Sequence, residues 1–157
     1  MVPSQWEAYK LIRLEALQTN PEMFGGKHYE EKLYHEDDWK SLLESDSRAM
    51  FGLYHAESLI GLSGVRLNTE DATTAVLFAS FIKEQYRGKG LSKLFYEARI
   101  DWARQRSCKS IIVSHRHDNK LSKAANQRFG FKYTNTEVVS WGDGARANGL
   151  VYLLELN

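Results

Sequence analysis

The chain is poor in cysteine, proline, net charge and long apolar runs, and each shortage excludes something. Its one cysteine, Cys108, rules out an internal disulfide framework and suits a reducing compartment. Cys108 reads as a small buried or half-exposed side chain, not a nucleophile. No apolar run approaches the ~18 residues that a membrane span needs. The opening "MVPSQWEAYK" has no apolar stretch of the kind a signal peptide carries. A net charge of +1 gives no general attraction to nucleic acid or acidic lipid, so any basic feature must act locally. These exclusions leave a single domain over 1–157, expected in the cytoplasm, with no nucleic-acid or membrane partner. Its 43% of hydrophobic residues suffice for a core.

What is present reads as alternating elements without repeats or linkers. Pro3 and Pro21 bracket a first helix, "WEAYKLIRLEAL", for which Ser4 and Glu7 predict a capping box. "HEDDWKSLLES" predicts a second helix with acidic residues in its first turn. "RAMFGLYH" and "SLIGLSGVRL" predict a hairpin, and "TAVLFASFI" is too continuously apolar for a strand with one wet face, so it predicts a central strand. After it come a glycine loop, an amphipathic helix from Leu91 onward, and the short strand "SIIVSH". Strand, helix and strand in that order make a βαβ unit with two parallel neighbours. "NKLSKAANQRF" predicts a helix stopped by Gly130, followed by strands "FKYTNTEVVSW" and "GLVYLLEL" joined by a long, mobile "GDGARANG" connection. The expected fold class is α+β, a mixed and mostly antiparallel sheet with one central βαβ crossover and helices on both faces.

The segment "EQYRGKGLSKLFYEARIDWARQR" concentrates the chemistry. A helix start leaves backbone N–H groups without partners, and the helix dipole favours an anion there by roughly 0.3–1 kcal/mol. Gly88 and Gly90 let the backbone approach phosphate oxygens closely, and Arg87 and Lys89 add positive charge. Neither common phosphate motif fits: the P-loop spacing is absent, and the dinucleotide fingerprint lacks its third glycine. The loop by itself therefore leaves a phosphate site and a plain turn both open.

Arg87 to Ser92, R-G-K-G-L-S, resembles motif A of the GNAT superfamily of acetyl-CoA-dependent N-acetyltransferases. "PEMFGGKHYEE" resembles the "pe-a-F-g-s-s-y-e-e" segment of a bacterial branch, and "SHRHDNKLSKAANQRFGF" resembles motif B. The resemblance covers essentially the whole chain. It implies that backbone groups of Phe81 and Ile82 pair with the pantetheine arm of acetyl-CoA. It also implies that the N–H groups of Arg87, Gly88, Lys89, Gly90, Leu91 and Ser92 cradle the pyrophosphate, and that Asn119 reaches the pantetheine region. The implied chemistry is direct attack of an amine on the thioester, with a backbone N–H at the strand splay as oxyanion donor.

Three departures from the family pattern stand out. Ser92 replaces the usual glycine or alanine, and its hydroxyl could itself bond a phosphate. Asn126 stands where the family carries the tyrosine that protonates the departing thiolate. An amide is no general acid, although it can donate a hydrogen bond to sulfur. If the missing acid limits the rate, Asn126→Tyr should raise turnover. The strand that usually precedes the first helix is missing or vestigial, which leaves a sheet edge exposed or covered by a second copy, as in a homodimer.

The attacking amine must be neutral, so a base or water relay is expected. Glu30 and Glu31 lie in the segment that borders the acceptor site in this branch, although a solvated helix start explains them more simply. His115 and His117 share a strand face and have a suitable ordinary pKa, but a polar strand end also accounts for them, and no third metal ligand is evident. Phe24, Tyr29, Tyr54 and Trp141 are candidates for the acceptor pocket, whereas Trp6, Tyr9, Phe95 and Trp102 read as core. The resulting expectation is an N-acetyltransferase using acetyl-CoA and no metal, on a small-molecule or peptide amine. A CoA-binding sensor or interaction module with little turnover is the alternative.

Overall fold

The computed structural model describes all residues, 1–157. Its elements are α1 (Trp6–Thr19), α2 (His28–Glu31), α3 (Glu36–Ser41), β1 (Arg48–His55), β2 (Ser58–Leu67), β3 (Thr74–Ile82), α4 (Ser92–Gln105), β4 (Ser110–Arg116), α5 (Lys120–Arg128), β5 (Lys132–Ser140) and β6 (Arg146–Glu155). The strands form one sheet of order β1-β2-β3-β4-β6-β5. Only β3 and β4 run parallel, joined by α4, and every other neighbour is antiparallel. This is the expected α+β sheet with one central crossover. No strand precedes α1, and β1 forms a sheet edge. No helix is long and apolar enough to cross a membrane.

Each face of the sheet has its own core. On one, α4 supplies Tyr96, Trp102 and Ala103 against Val65, Leu77 and Ile111, with Ala125 of α5 and Phe129 just beyond its end packed beside them. On the other, Tyr9, Ile12, Ala16 and Leu17 form one stripe of α1 at helical spacing, packed with Trp39 against Met50, Leu62 and Phe81.

Three local expectations need correction. Ser4 does not cap α1. A 3-10 turn over Pro3–Gln5 comes first, and Gln5 reaches back so that its Oε1 accepts from the Val2 N–H at 2.9 Å. Pro3, with φ preset for a helical turn, starts the winding early. The helix expected over "HEDDWKSLLES" ends at Ser41, whose hydroxyl donates to the Asp38 carbonyl at 2.7 Å and competes with the helix ladder. The "GDGARANG" connection is neither long nor loose. Strand β6 begins at Arg146, and the turn is pinned by the Gly142 N–H to the Phe24 carbonyl at 2.7 Å. Arg116 Nη1 holds Asp143 Oδ2 at 2.6 Å.

The feature that positions the site is a β-bulge in β3. Leu62 pairs with Phe81 and Gly64 with Phe78, so Ser63 faces two residues, and Ala79 takes φ +57°. A bulge reverses side-chain alternation beyond it. Ala75 and Leu77 face the α4 core, but Phe81 joins the α1 core. Ser80 turns toward α4. Pairing of β3 with β4 stops after Val76 and Ile112, while each strand stays paired to its other neighbour, so the sheet splays open just there.

Candidate active site

The glycine loop leads into α4 through two positive-φ residues, Gly88 at φ +75° and Gly90 at φ +74°. A Cβ at either would meet nothing within 4 Å, so backbone conformation and not space requires glycine there. The Arg87 N–H donates to the Glu84 carbonyl at 3.1 Å. The N–H groups of Gly88, Lys89, Gly90, Leu91 and Ser92 have no acceptor in the chain, and no side chain caps the helix start. Five consecutive free donors at a helix N-terminus suit an anion. The Arg87 side chain does not point there: Nε donates to the Ile82 carbonyl at 2.6 Å and Nη2 to Asn20 Oδ1 at 2.8 Å. It ties the end of β3 to the end of α1.

This loop forms one end of a cleft of about 420 Å³ between β3 and α5. Phe81, Ile82 and Ser92 line one side, and Leu121, Ala125 and Arg128 line the other. A second, smaller cavity of about 90 Å³ lies in the splay between β3 and β4 and includes the bulge residues Ala79 and Ser80. The two share Met23, Ser80, Tyr96, Arg99, Asn119 and Ser122, which therefore surround the point where they meet. No carboxylate lines either cavity.

Buried polar groups converge on that junction. Asn126, 1% exposed, accepts a short hydrogen bond from the Tyr96 hydroxyl on Oδ1, and its Nδ2 donates to His115 Nδ1 at 3.1 Å. His115 is thereby the Nε2–H tautomer, and Nε2 has no partner. Burial, helped by nearby Lys123, pushes the His115 pKa down and keeps the ring neutral. Burial also pushes the Tyr96 phenol up, against the opposing pull of Arg99. Tyr96 stacks on Phe129 with ring centroids 4.3 Å apart, and the Arg99 guanidinium lies 5.0 Å from the centroid of its other neighbour, the Tyr96 ring.

Arg99 is 2% exposed and has no acidic partner. Nε donates to the Phe95 carbonyl at 3.1 Å and Nη1 to Ser80 Oγ at 2.8 Å, while Nη2 makes no bond within the chain. Burial lowers its pKa to about 10, which leaves it charged at neutral pH. A buried cation without a counter-ion costs several kcal/mol, so the junction favours an anion.

The structure brings together most of the residues singled out from sequence. Phe81, Ile82, Arg87, Gly88, Gly90, Leu91, Ser92 and Asn119 all line the cleft. Lys89 stays at the loop, its Nζ 5.7 Å from the Tyr86 ring centroid. Asn119 caps α5, its side chain accepting from the Ser122 N–H at 3.1 Å. Asn126 lies behind Tyr96, in the smaller cavity only. Glu30 and Glu31 lie outside both cavities: Glu31 is held by two hydrogen bonds of 3.0 Å from Arg13, and Glu30 is exposed beside Lys27. His117 is not on the His115 strand face, because β4 ends at Arg116 and His117 is exposed in the following turn. Of the acceptor-pocket aromatics, Phe24 lines the smaller cavity, Trp141 is buried, and Tyr29 and Tyr54 are exposed away from it. Sequence reading missed Tyr96, Arg99 and Arg128. An arginine on the apolar stripe of α4 was the available signal for Arg99.

A family model described as "Acetyltransferase (GNAT) family" matches residues 9–131. No curated protein matches the chain. Among solved structures, an acetyltransferase of the GNAT family from Streptococcus pneumoniae superposes with a TM-score of 0.83 at 14% identity, covering 99% of this chain and 96% of that one. Ribosomal-protein-alanine N-acetyltransferase from Brucella melitensis gives 0.81 at 17% identity, over 99% of this chain and 97% of its own. The microcin C7 self-immunity acetyltransferase MccE, in complex with acetyl-CoA and AMP, gives 0.72 at 14% identity, over 99% and 89%. At these identities the likeness is one of fold.

Proposed function

The chain belongs to the GNAT acetyltransferase family, and from that premise we propose that it transfers the acetyl group of acetyl-CoA to a primary amine. The observation that carries the reading is the run of free N–H groups from Gly88 to Ser92, opening onto a cleft that leads to the sheet splay. The residues present fit acetyl-CoA. The free amides suit a pyrophosphate, with Arg128 across the cleft, and Leu121, Ala125 and Ile82 offer apolar walls for a pantetheine arm. Acetyl-CoA supplies an activated thioester carbonyl. The chain contributes alignment of that carbonyl beside the β3 bulge, exclusion of water by the α4 and α5 walls, and polar groups at the junction.

The acceptor amine belongs to a small molecule or to a protein N-terminus or lysine, and reaches the junction past Met23 and Phe24. With no carboxylate in either cavity and His115 Nδ1 engaged by Asn126, the amine is taken up already neutral or loses its proton to water. A single reduced cysteine, Cys108, accords with action in the cytoplasm.

Replacement of the family's tyrosine by Asn126 favours one alternative, a CoA-binding module with little turnover. Calorimetry with acetyl-CoA and CoA, followed by a thiol-release assay over a panel of amines, separates the two. Binding with release supports the transferase, binding without release across the panel supports the module, and absence of CoA binding removes both.

A further inference from the structure

Two cavities meet at Tyr96 and Arg99, which lie one turn apart on α4. The anion site at Gly88–Ser92 is at the N-terminus of that same helix. From Ser92 to Arg99 the helix rises about 10 Å, so an extended ligand anchored at the loop lies along α4 toward the junction. The titratable groups lining the two cavities are Tyr86, Arg87, Tyr96, Arg99, His115 and Arg128, with Lys123 behind His115. Arg99 is the buried cation among them, and nothing in the chain neutralises it.

We propose that the departing thiolate of CoA is received by α4: the Arg99 guanidinium holds its charge and the Tyr96 hydroxyl supplies its proton, in place of the residue missing at position 126. This rests on the acetyl-transfer reading above. The amine nitrogen forms its bond to the thioester carbon, the carbon–sulfur bond breaks, and its electron pair leaves on sulfur. The Tyr96 hydrogen, resting on Asn126 Oδ1, swings about the phenol C–O bond to that sulfur. The amine nitrogen loses one proton as the sulfur gains one, and that proton restores Tyr96. Asn126 is a positioning residue. Its amide oxygen cannot take the proton, so it parks the hydroxyl without discharging it, and His115 fixes which way the amide faces.

Arg99 is tested with CoA alone, before any acceptor is known. Ultraviolet absorbance of the thiolate is titrated for CoA bound to the wild type, Arg99→Met and Arg99→Lys. The wild type should hold about tenfold more thiolate at a given pH than free CoA does. Arg99→Met should abolish that excess, and Arg99→Lys, which keeps the charge, should retain most of it. With an amine that supports release, Tyr96→Phe should lower kcat by about 10² or more, with the KM for acetyl-CoA within threefold of wild type. Asn126→Leu should lower kcat with the same unchanged KM and an unchanged bound-thiol titration, a split that loosened packing would not produce.

An unshifted thiol in the wild type, or one that Arg99→Met leaves alone, overturns the Arg99 assignment. So does a rise in KM confined to acceptors bearing a carboxylate, which would make Arg99 an acceptor contact. Tyr96→Phe retaining more than half of kcat overturns the proton assignment. Each of these leaves acetyl transfer standing, whereas absence of CoA binding by the wild type overturns both readings.

Discussion

Asn126 Nδ2 lies 3.1 Å from His115 Nδ1, and together they wall the smaller cavity from the β4 side. Asn126 is the position at which the sequence departs from the motif B it otherwise resembles. It is a buried link between α4 and β4, bonded to Tyr96 on one side and His115 on the other.

The imidazole sets a pH limit on stability. Burial, then Lys123, holds the folded His115 pKa below its ordinary value, so the unfolded chain binds this proton more readily than the folded one. The stability contribution is full above about pH 6.5 and is lost as pH falls through that value toward the folded pKa. Urea midpoints should therefore drop as pH falls below about 6.5. His115→Gln should flatten that fall while costing about 1 kcal/mol at neutral pH for the altered hydrogen bond.

Asn126→Tyr should not raise turnover. The position is 1% exposed and filled on both sides by Tyr96 and His115, so a phenol overpacks it. A loss of about 1–3 kcal/mol is expected, lowering the melting temperature by several degrees, with thiol release no faster than wild type. A faster enzyme with an unchanged melting curve would contradict this.

Glu31→Gln separates a structural carboxylate from a base. Its two bonds to Arg13 are shielded from solvent, so losing the charge should cost about 1–3 kcal/mol. Thermal unfolding should register that cost. The pH profile of acetyl transfer should keep its shape, because Glu31 lines neither cavity.

Gly142→Ala probes the docking of the β5–β6 turn. A Cβ there would lie 2.5 Å from the Gly26 carbonyl oxygen and 2.7 Å from that of Pro21. Both are backbone atoms, so the turn must move off the segment carrying Met23 and Phe24. A cost of about 1–3 kcal/mol is expected, with a rise in acceptor KM and little change in CoA affinity by calorimetry.

Gly90→Ala tests the anion site. Alanine at φ +74° carries a strain of roughly 1–2 kcal/mol, which relaxes by turning the free N–H groups out of alignment. CoA affinity should fall about tenfold or more in calorimetry while the melting temperature changes only slightly.

The central elements were legible in the sequence because their signals are local. Strands 48–55, 58–67 and 74–82 were read with the bounds they have, since short apolar runs bounded by turn residues mark them within a few positions. The helix expected from Leu91 onward begins at Ser92, one residue later, and the stop at Gly130, with φ +88°, was visible for the same reason. The loop's free amides follow from two glycines at a helix entry.

Relations between elements were decided only by the tertiary structure. The bulge at Ala79 hides inside "TAVLFASFI", because a reversal of alternation depends on the partner strand, and Ser63 must face two residues to create it. That reversal turns Ser80 toward Arg99 and opens the splay, so the site's chemistry rests on a register that no local pattern announces. Gly142 looked like slack in a loop because its constraint is a carbonyl more than a hundred residues earlier in the chain. Residue types and their spacing determined by themselves a βαβ-centred domain with a glycine loop at the entry to its crossover helix. Burial and cross-strand register, which exist only once the chain is folded, decided that Tyr96 and Arg99 face the place where the cavities meet and that Asn126 stands behind them.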